Sequence, residues 1–520
     1  MPQSVQHAWQ IRKPAISSRK GLVASQHYLA SAVGAEILQQ GGNAIDAAIA
    51  TGLTLGVVEP WMSGLGGGGY MTIYLAEQKQ VKVIEFGMQA PAAADTADYP
   101  LAGTGTNAGD AFNWPKVIGD TNIHGPLAAA VPGYIKGISL ALDTFGTMDW
   151  QDVIEPACLQ AEQGLPIDWF SAQKISLMAR GLNLYPETRS VYLADGLPPT
   201  INLDGTLDFL KLGRLAETYR ILQSRGADEF YQGELARQIA GDLAEAGSRM
   251  TVKDLQHYEA DISEPTSTHY RGHTLHAPGS LTAGPSIAHA LNYMEENYKP
   301  GEAPDADTFK QYAAALLSAY EHRLTNLGEG QQGNTSHLCV TDRAGNVVSL
   351  TQTIMSAFGS RIMLPQSGIL MNNGMMWFDP RPGGPNSVKG SRKPLCNMCP
   401  VILEAPNGSL TALGACGGRK IFPAVFQLTS LLADFGLSVD EAAHQPRIDV
   451  SGTDEVTVMD HMQAEIIDSI RAHYTNVRVA PHGVSPNLFA LPQLIRLEKS
   501  GVSTGACFIP SPHAQVISET

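Results

Sequence analysis

The stretch Gly333–Thr353, GNTSHLCVTDRAGNVVSLTQT, admits few arrangements. Ser336 to Thr341 and Val347 to Ile354 are short β-prone runs. Between them, Asp342-Arg343-Ala344-Gly345-Asn346 is turn chemistry, with Gly345 free to take a positive φ. The pattern predicts an antiparallel hairpin. A register symmetric about Ala344 sets Asp342 opposite Asn346 and Thr335 opposite Thr353. Directly opposed side chains in such a pair lie close enough to hydrogen-bond. Two threonine hydroxyls are therefore expected together at the open end of the hairpin.

The rest of the chain must supply a frame for that hairpin. Hydrophobic residues make up 43% and charged residues 16% of 520, the balance of a globular enzyme rather than a disordered segment. A net charge of −15 argues against a nucleic-acid partner and against an anionic membrane surface. The opening MPQSVQHAWQIRKPAISSRK contains no apolar run of signal-peptide length. Ala47–Val58, the longest apolar candidate, is flanked by Asp46 and Glu59 and reads as a buried core helix. A cytoplasmic protein with six reduced cysteines is the expectation. No cofactor or metal is expected. Cys396-x-x-Cys399 has no second pair to complete a zinc site, and His322 and His337 read as isolated.

In chain order, residues 1–20 read as a loose arm and Gly21–Ser25 as a strand. Ser31–Gln40 reads as a helix closed by Gly41-Gly42, and Asn43 as the cap of the next helix, which ends before Pro60. The run Gly64-Leu65-Gly66-Gly67-Gly68-Gly69 precedes a strand, Tyr70–Leu75, and opens no helix. It therefore reads as a tight backbone crossing rather than a phosphate loop. Val81–Phe86 is a second strand, and 99–122 a polar surface excursion. Helical patterns follow at 149–163, 215–224, 233–246, 284–297 and 307–324, with a strand at Tyr270–Ala277 among them. Beyond the hairpin the pattern turns strand-rich. Ile362–Leu364, Gly368–Met371, 399–404 and 409–414 are expected strands, 379–395 is a proline-rich loop, and Ile421–Asp434 is a helix.

Four segments carry a resemblance: GNTSH with its hairpin, GGNAIDAAIA…GLGGGGYM, HGPLAAAVPGYIKGISLALDTFGTM and GACGGRKI. Together the chain resembles the γ-glutamyltransferase family of autoprocessing N-terminal-nucleophile hydrolases. The resemblance implies an α+β, four-layer αββα sandwich. It implies a cut between Asn334 and Thr335, giving a helix-rich large subunit, 1–334, and a small subunit, 335–520, paired as a heterodimer. Thr335 would be the nucleophile, with its freed α-amine as base, and Thr353 would orient it. Gly417 and Gly418, ahead of a helix, would form the oxyanion hole. Asn372-Asn373 matches the family's strand end. The stretch between the helix near Leu324 and Thr335 is shorter than the family's usual one.

The substrate grip departs from the family pattern. Gly87 stands where the family's carboxylate-binding arginine does, and Met355 where an asparagine holds the α-amino group. Gly374 and Trp377 replace a glutamine and an aspartate, and Cys396 and Asn397 replace two serines. Hydrogen bonds to charged groups are worth about 1.5–3 kcal/mol each, so recognition of a glutamyl zwitterion is expected to be lost. Met355, Met375, Met376 and Trp377 suggest a drier acyl pocket. Arg361 and Arg419 are the candidate cations for a small anionic acyl group. The chain is most similar to the oxamate amidohydrolases, which split oxamate to oxalate and ammonia in purine-derived nitrogen degradation. The alternatives are a γ-glutamyl hydrolase or transferase with a rebuilt site, a glutaryl-acylase-like amidase, and a binding protein on an inactive scaffold.

Overall fold

Two antiparallel seven-stranded sheets, stacked face to face, organise the molecule. The computed structural model describes residues 13–106, 114–279, 281–326, 334–451, 454–484 and 488–520. The first sheet runs in the order Gln515–Ser518, Leu22–Ser25, Asn334–Thr341, Val347–Met355, Gly68–Leu75, Gln80–Phe86, Asp261–Ser263. The second runs Ile16–Ser18, Ser503–Cys507, Leu491–Leu497, Leu410–Cys416, Val401–Glu404, His273–Ala277, Thr266–Tyr270. Every residue of Val347–Met355 is buried, because one face of the strand meets the second sheet and the other meets helices. Its polar residues Ser349, Thr351, Gln352 and Thr353 are buried with the apolar ones.

Three hydrophobic layers follow. Leu22, Ala24, Cys339, Val347, Ile402, Leu410, Ala412 and Ile495 fill the space between the sheets. Outside the first sheet, the helices Tyr28–Gln39 and Ala44–Val58 close a second layer with Val23, Met71, Ile73, Leu338 and Leu350. Outside the other sheet, Gly284–Asn297, Ala306–Asn326 and Ile421–Asp434 close a third with Leu403, Leu413 and Leu494. The result is a four-layer αββα sandwich, and each sheet contains strands from both sides of position 334.

Local signals set several of these elements. Asn43 accepts from the Ile45 and Asp46 N–H groups at 2.8 and 3.1 Å, and its own N–H returns to Asp46 Oδ2 at 2.8 Å. This reciprocal cap starts the buried helix Ala44–Val58. The hairpin turn is locked to that helix start, since Asp342 Oδ2 accepts from the Ala44 N–H at 2.9 Å. Gly345 has φ 93°, and Asn346 donates through its backbone to Asp342 Oδ1 at 2.9 Å. The hairpin register is the symmetric one from Thr341–Val347 to Ser336–Gln352.

Other expectations are corrected. The arm over 1–20 ends in a strand, Ile16–Ser18, paired with Ser503–Gly505, while residues 1–12 lie outside those described. The excursion 99–122 turns inward at its ends. Trp114, Val117 and Ile123 join the apolar cluster around Met355, and Asn122 is buried as well; residues 107–113 lie outside those described. Tyr270–Ala277 is part of a hairpin, Thr266–Tyr270 with His273–Ala277, turning at Arg271-Gly272 with both residues at positive φ. Ile362–Leu364 and Gly368–Met371 form only isolated bridges, because Arg361 and Gly368 at positive φ break the extended run. The helix Trp169–Leu182 was not anticipated. It starts where Asp168 accepts from the Phe170 and Ser171 N–H groups, both at 2.9 Å. His322 is not isolated either: its ring stacks on His289 with centroids 4.9 Å apart.

Candidate active site

Thr335 lies at the head of its strand, where the pairing changes register. Asn334 pairs with Met355 and Ser336 with Gln352, so Thr335 occupies an irregularity between them. A bulge of this kind re-aims a side chain and often sits beside an active site. Thr335 is 3% exposed, and its Oγ1 stands 3.5 Å from Thr353 Oγ1. Thr353 Oγ1 in turn accepts from the Met355 N–H at 2.7 Å. The residue after Thr335 is pinned as well: Ser336 Oγ is 3.1 Å from Ser63 Oγ, which accepts from Gln352 Nε2 at 2.9 Å. The residues between Asn326 and Asn334 lie outside those described.

The glycine run explains how the chain passes behind this pair. A Cβ on Gly67 would fall 2.3 Å from the Thr353 carbonyl oxygen, and one on Gly69 2.4 Å from that of Thr351. Only glycine permits such an approach. Just past Thr353 the backbone is strained, with Met355 at φ 87° and Phe358 at φ 60°. Non-glycine residues in this region cost roughly 1–3 kcal/mol and cluster at functional sites.

The turn Gly417-Gly418 approaches from the other sheet. His337 packs on Gly414, where a Cβ would meet its ring at 2.3 Å, and Ser349 Oγ donates to the Leu413 carbonyl at 3.1 Å. Residue numbers therefore rise along Leu410–Cys416 as they fall along Asn334–Thr341, which brings the Cys416 end toward Thr335. Gly417 has φ 136° and Gly418 φ 60°, directly before the helix Ile421–Asp434. A Cβ on Gly417 would lie 2.9 Å from Ala490 Cα. Cys416 Sγ accepts from Gln26 Nε2.

A buried apolar wall of Tyr70, Met88, Trp114, Ile123, Met355, Met375, Met376, Trp377 and Cys396 packs around Met355, two residues beyond Thr353. Gly87 lies under Tyr70, whose Oη would be 2.9 Å from a Cβ there. The Tyr70 hydroxyl bonds Cys396, and burial pushes that thiol up to about 12. Asn372 and Asn373 brace the wall rather than reach past it. Asn372 accepts from the Ala130 and Gly374 N–H groups at 3.0 and 2.8 Å and donates to the Gly66 and Ala130 carbonyls at 2.7 and 2.8 Å. Asn373 accepts from the Ser356 N–H at 2.9 Å and donates to the Ile123 carbonyl at 2.8 Å and Ser356 Oγ at 2.9 Å. With its donors and acceptors so occupied, a carboxamide has little left for a ligand.

The two arginines singled out in the sequence sit in different surroundings. Arg361 lies against Gly181, where a Cβ would meet its Nη1 at 2.7 Å, and Arg419 Nη1 donates to the Ser451 carbonyl at 2.6 Å. The guanidinium beside the wall belongs to Arg323, which sequence reasoning missed. It is 1% exposed, and its Nη2 donates to the Cys396 carbonyl at 2.7 Å. Its Nη1 donates to the Thr282 carbonyl at 3.0 Å and to Ser286 Oγ at 3.1 Å. Asn397, next to Cys396, is also buried. Asn122 was missed too. It is buried beside Ile123, and neither of its amide atoms has a protein partner.

A family model described as Gamma-glutamyltranspeptidase matches residues 30–332 and 326–506. The chain belongs to this family. The glutathione hydrolase proenzyme of Escherichia coli (strain K12) is 31% identical over 489 residues, covering 83% of this chain and 81% of the relative. The acylase ACY 1 proenzyme of Pseudomonas sp. (strain SE83) is 31% identical over 483 residues, covering 85% and 84%. The crystal structure of a cephalosporin acylase from Bacillus halodurans superposes with a TM-score of 0.85 over 100% of this chain and 99% of that one, at 23% identity. This γ-glutamyltranspeptidase-family member is thus an amide-cleaving N-terminal-nucleophile hydrolase, made as a self-processing proenzyme. No helix among its described residues is long and apolar enough to cross a membrane.

Two consequences of the site geometry are measurable. Thr353→Val removes the acceptor of the buried Met355 N–H, at a cost of about 1–3 kcal/mol, along with the hydroxyl beside Thr335. Such a variant should melt lower and hydrolyse amides roughly ten- to a hundredfold more slowly, as thermal denaturation and steady-state kinetics would read out. The second concerns Glu59, whose carboxyl burial raises to about 8, opposed by Lys174. A folded-state value above the ordinary 4.5 stabilises the fold fully below about pH 4.5, and that stability is lost as pH rises through 8. Glu59→Gln should flatten this decline, so its melting temperature should gain on the parent's between pH 5 and 9. Parallel melting curves would refute the buried, protonated carboxyl.

Proposed function

We propose that the chain cuts itself between Asn334 and Thr335, and that Thr335 then attacks an acyl amide whose acyl group is not γ-glutamyl. In the intact chain the Thr335 nitrogen is an amide and cannot take a proton. Once freed, an α-amine titrates near pH 7.7–8.0, so a useful fraction is neutral and accepts the proton of its own hydroxyl. The hydroxyl oxygen adds to the substrate carbonyl while Thr353 fixes its direction. The oxyanion is met by the N–H groups of Gly417 and Gly418 ahead of the helix. On collapse the α-ammonium passes that proton to the leaving nitrogen, which departs as the amine and leaves an ester on Thr335; water, deprotonated by the same α-amine, then hydrolyses the ester.

The observation that carries the acyl-side reading is the wall itself. Tyr70 covers Gly87, and Met355, Trp377 and Cys396 stand buried where the family pattern has groups for a glutamyl zwitterion. Relatives named as acylases, alongside those named as glutathione hydrolases, support an acylase-type substrate. Asn122 is the polar group we assign to the acyl chain. Oxamate is a narrower candidate that rests on resemblance; it needs a cation, for which Arg361 and Arg419 are the candidates, since both terminal nitrogens of Arg323 are taken by protein acceptors. The γ-glutamyl reading rests on the similarity to glutathione hydrolases.

A panel of oxamate, a glutaryl amide and a γ-glutamyl anilide, given to cleaved protein, separates these readings. Glutaryl turnover at least tenfold above the anilide is expected. Preferred γ-glutamyl turnover would overturn the acyl-wall argument, and preferred oxamate turnover would narrow the substrate to that small anion.

A further inference from the structure

A second site lies apart from Thr335, in a small sheet formed by Ile448–Asp449, Val456–Met459 and Val477–Ala480. Asp460 follows the middle strand, and its N–H donates to the Ala480 carbonyl at 3.0 Å. That bond draws the segment carrying His482 alongside Asp460 and His461. His482 Nδ1 lies 3.2 Å from Asp460 Oδ1, and His461 Nδ1 lies 3.5 Å from the same oxygen. The two imidazoles stack with centroids 3.5 Å apart, and one ligand atom from each of the three residues falls within 4.8 Å of the others.

Zinc bonds nitrogen and oxygen ligands at about 2.0–2.2 Å, so ligand atoms around a tetrahedral ion stand roughly 3.4 Å apart. The two contacts to Asp460 are close to that spacing, and a turn of the stacked rings about their side-chain bonds would aim both nitrogens at one ion. Two imidazoles and one carboxylate suit a borderline transition metal rather than magnesium or calcium, which prefer all-oxygen sites. Asp460 and His461 are exposed and His482 half-buried, which gives an ion a way in. Sequence spacing hid the group, because His461 and His482 lie 21 residues apart with no paired motif.

We propose that Asp460, His461 and His482 bind one divalent transition-metal ion of the zinc class, leaving its remaining coordination to water. Its role is a clamp between the end of strand Val456–Met459 and the segment carrying His482. The clamp bears on the Gly417 turn through described contacts. The Met459 N–H donates to the Arg447 carbonyl at 3.2 Å, Arg447 Nη2 donates to the Ala490 carbonyl at 3.3 Å, and Ala490 is the residue packed on Gly417.

The test is titration of metal-stripped full-length protein with Co²⁺, followed by visible absorption, and with Zn²⁺, followed by calorimetry and melting temperature. One equivalent should bind, with a rise in melting temperature, while Mg²⁺ has no effect. His461→Ala and His482→Ala should each weaken binding by at least about tenfold, and the double variant should lose the melting shift while folding normally without metal. Absence of binding, or one equivalent still bound by the double variant, would overturn the proposal.

Discussion

Thr335→Ala should remain a single chain of 55.5 kDa after prolonged incubation and should hydrolyse no amide. Both outcomes have one cause. Processing and turnover each need an attacking hydroxyl at the head of the strand Asn334–Thr341, and alanine removes it without changing the backbone. A loss of at least about 10³-fold is expected, since removal of a catalytic nucleophile leaves only binding and oxyanion stabilisation. Thr335→Ser should still process itself, which separates missing chemistry from misfolding. Sequencing the small fragment of the parent protein completes the test. A fragment that begins Thr-Ser-His-Leu agrees with the mechanism, and any other first residue ends it.

The second large effect belongs to Gly417→Ala. Gly417 is held at φ 136°, and an added methyl would stand 2.9 Å from Ala490 Cα. Either the turn or the Ala490 backbone must shift. Loss of one oxyanion donor costs roughly 10²–10³ in kcat, and a displaced pair of N–H groups should cost about as much. The substrate's KM should change little, because the acyl wall belongs to other elements. A fall in kcat of less than about threefold, with the fold intact, would mean that another element meets the oxyanion. The acyl group would be unaffected by that result.

Much of this site was legible before the structure, for identifiable reasons. The hairpin register followed from a five-residue turn centred on Ala344 and holds as far as Ser336–Gln352, and Thr335, at the irregularity beyond, still lies beside Thr353. The glycine run and the cap at Asn43 announced themselves because backbone conformation selects those residue types. What escaped notice was tertiary. Arg323 looks like any charge in the last turn of a helix until the Cys396 carbonyl is seen beside it. Asn122 sat in a polar stretch that reads as surface, and only its apolar neighbours draw it inward. Asn372 and Asn373 matched the expected motif, but their amides hold backbone.

The interleaving of the sheets has a final implication for handling the protein. A break before Thr335 leaves Leu22–Ser25 hydrogen-bonded to Leu338–Thr341, and Gly68–Tyr74 to Val347–Thr353. Pieces of 334 and 186 residues would therefore be severed in covalent terms only. They should travel as one particle on a sizing column, part only in denaturant, and fail to reassemble into an active enzyme when produced from two separate genes.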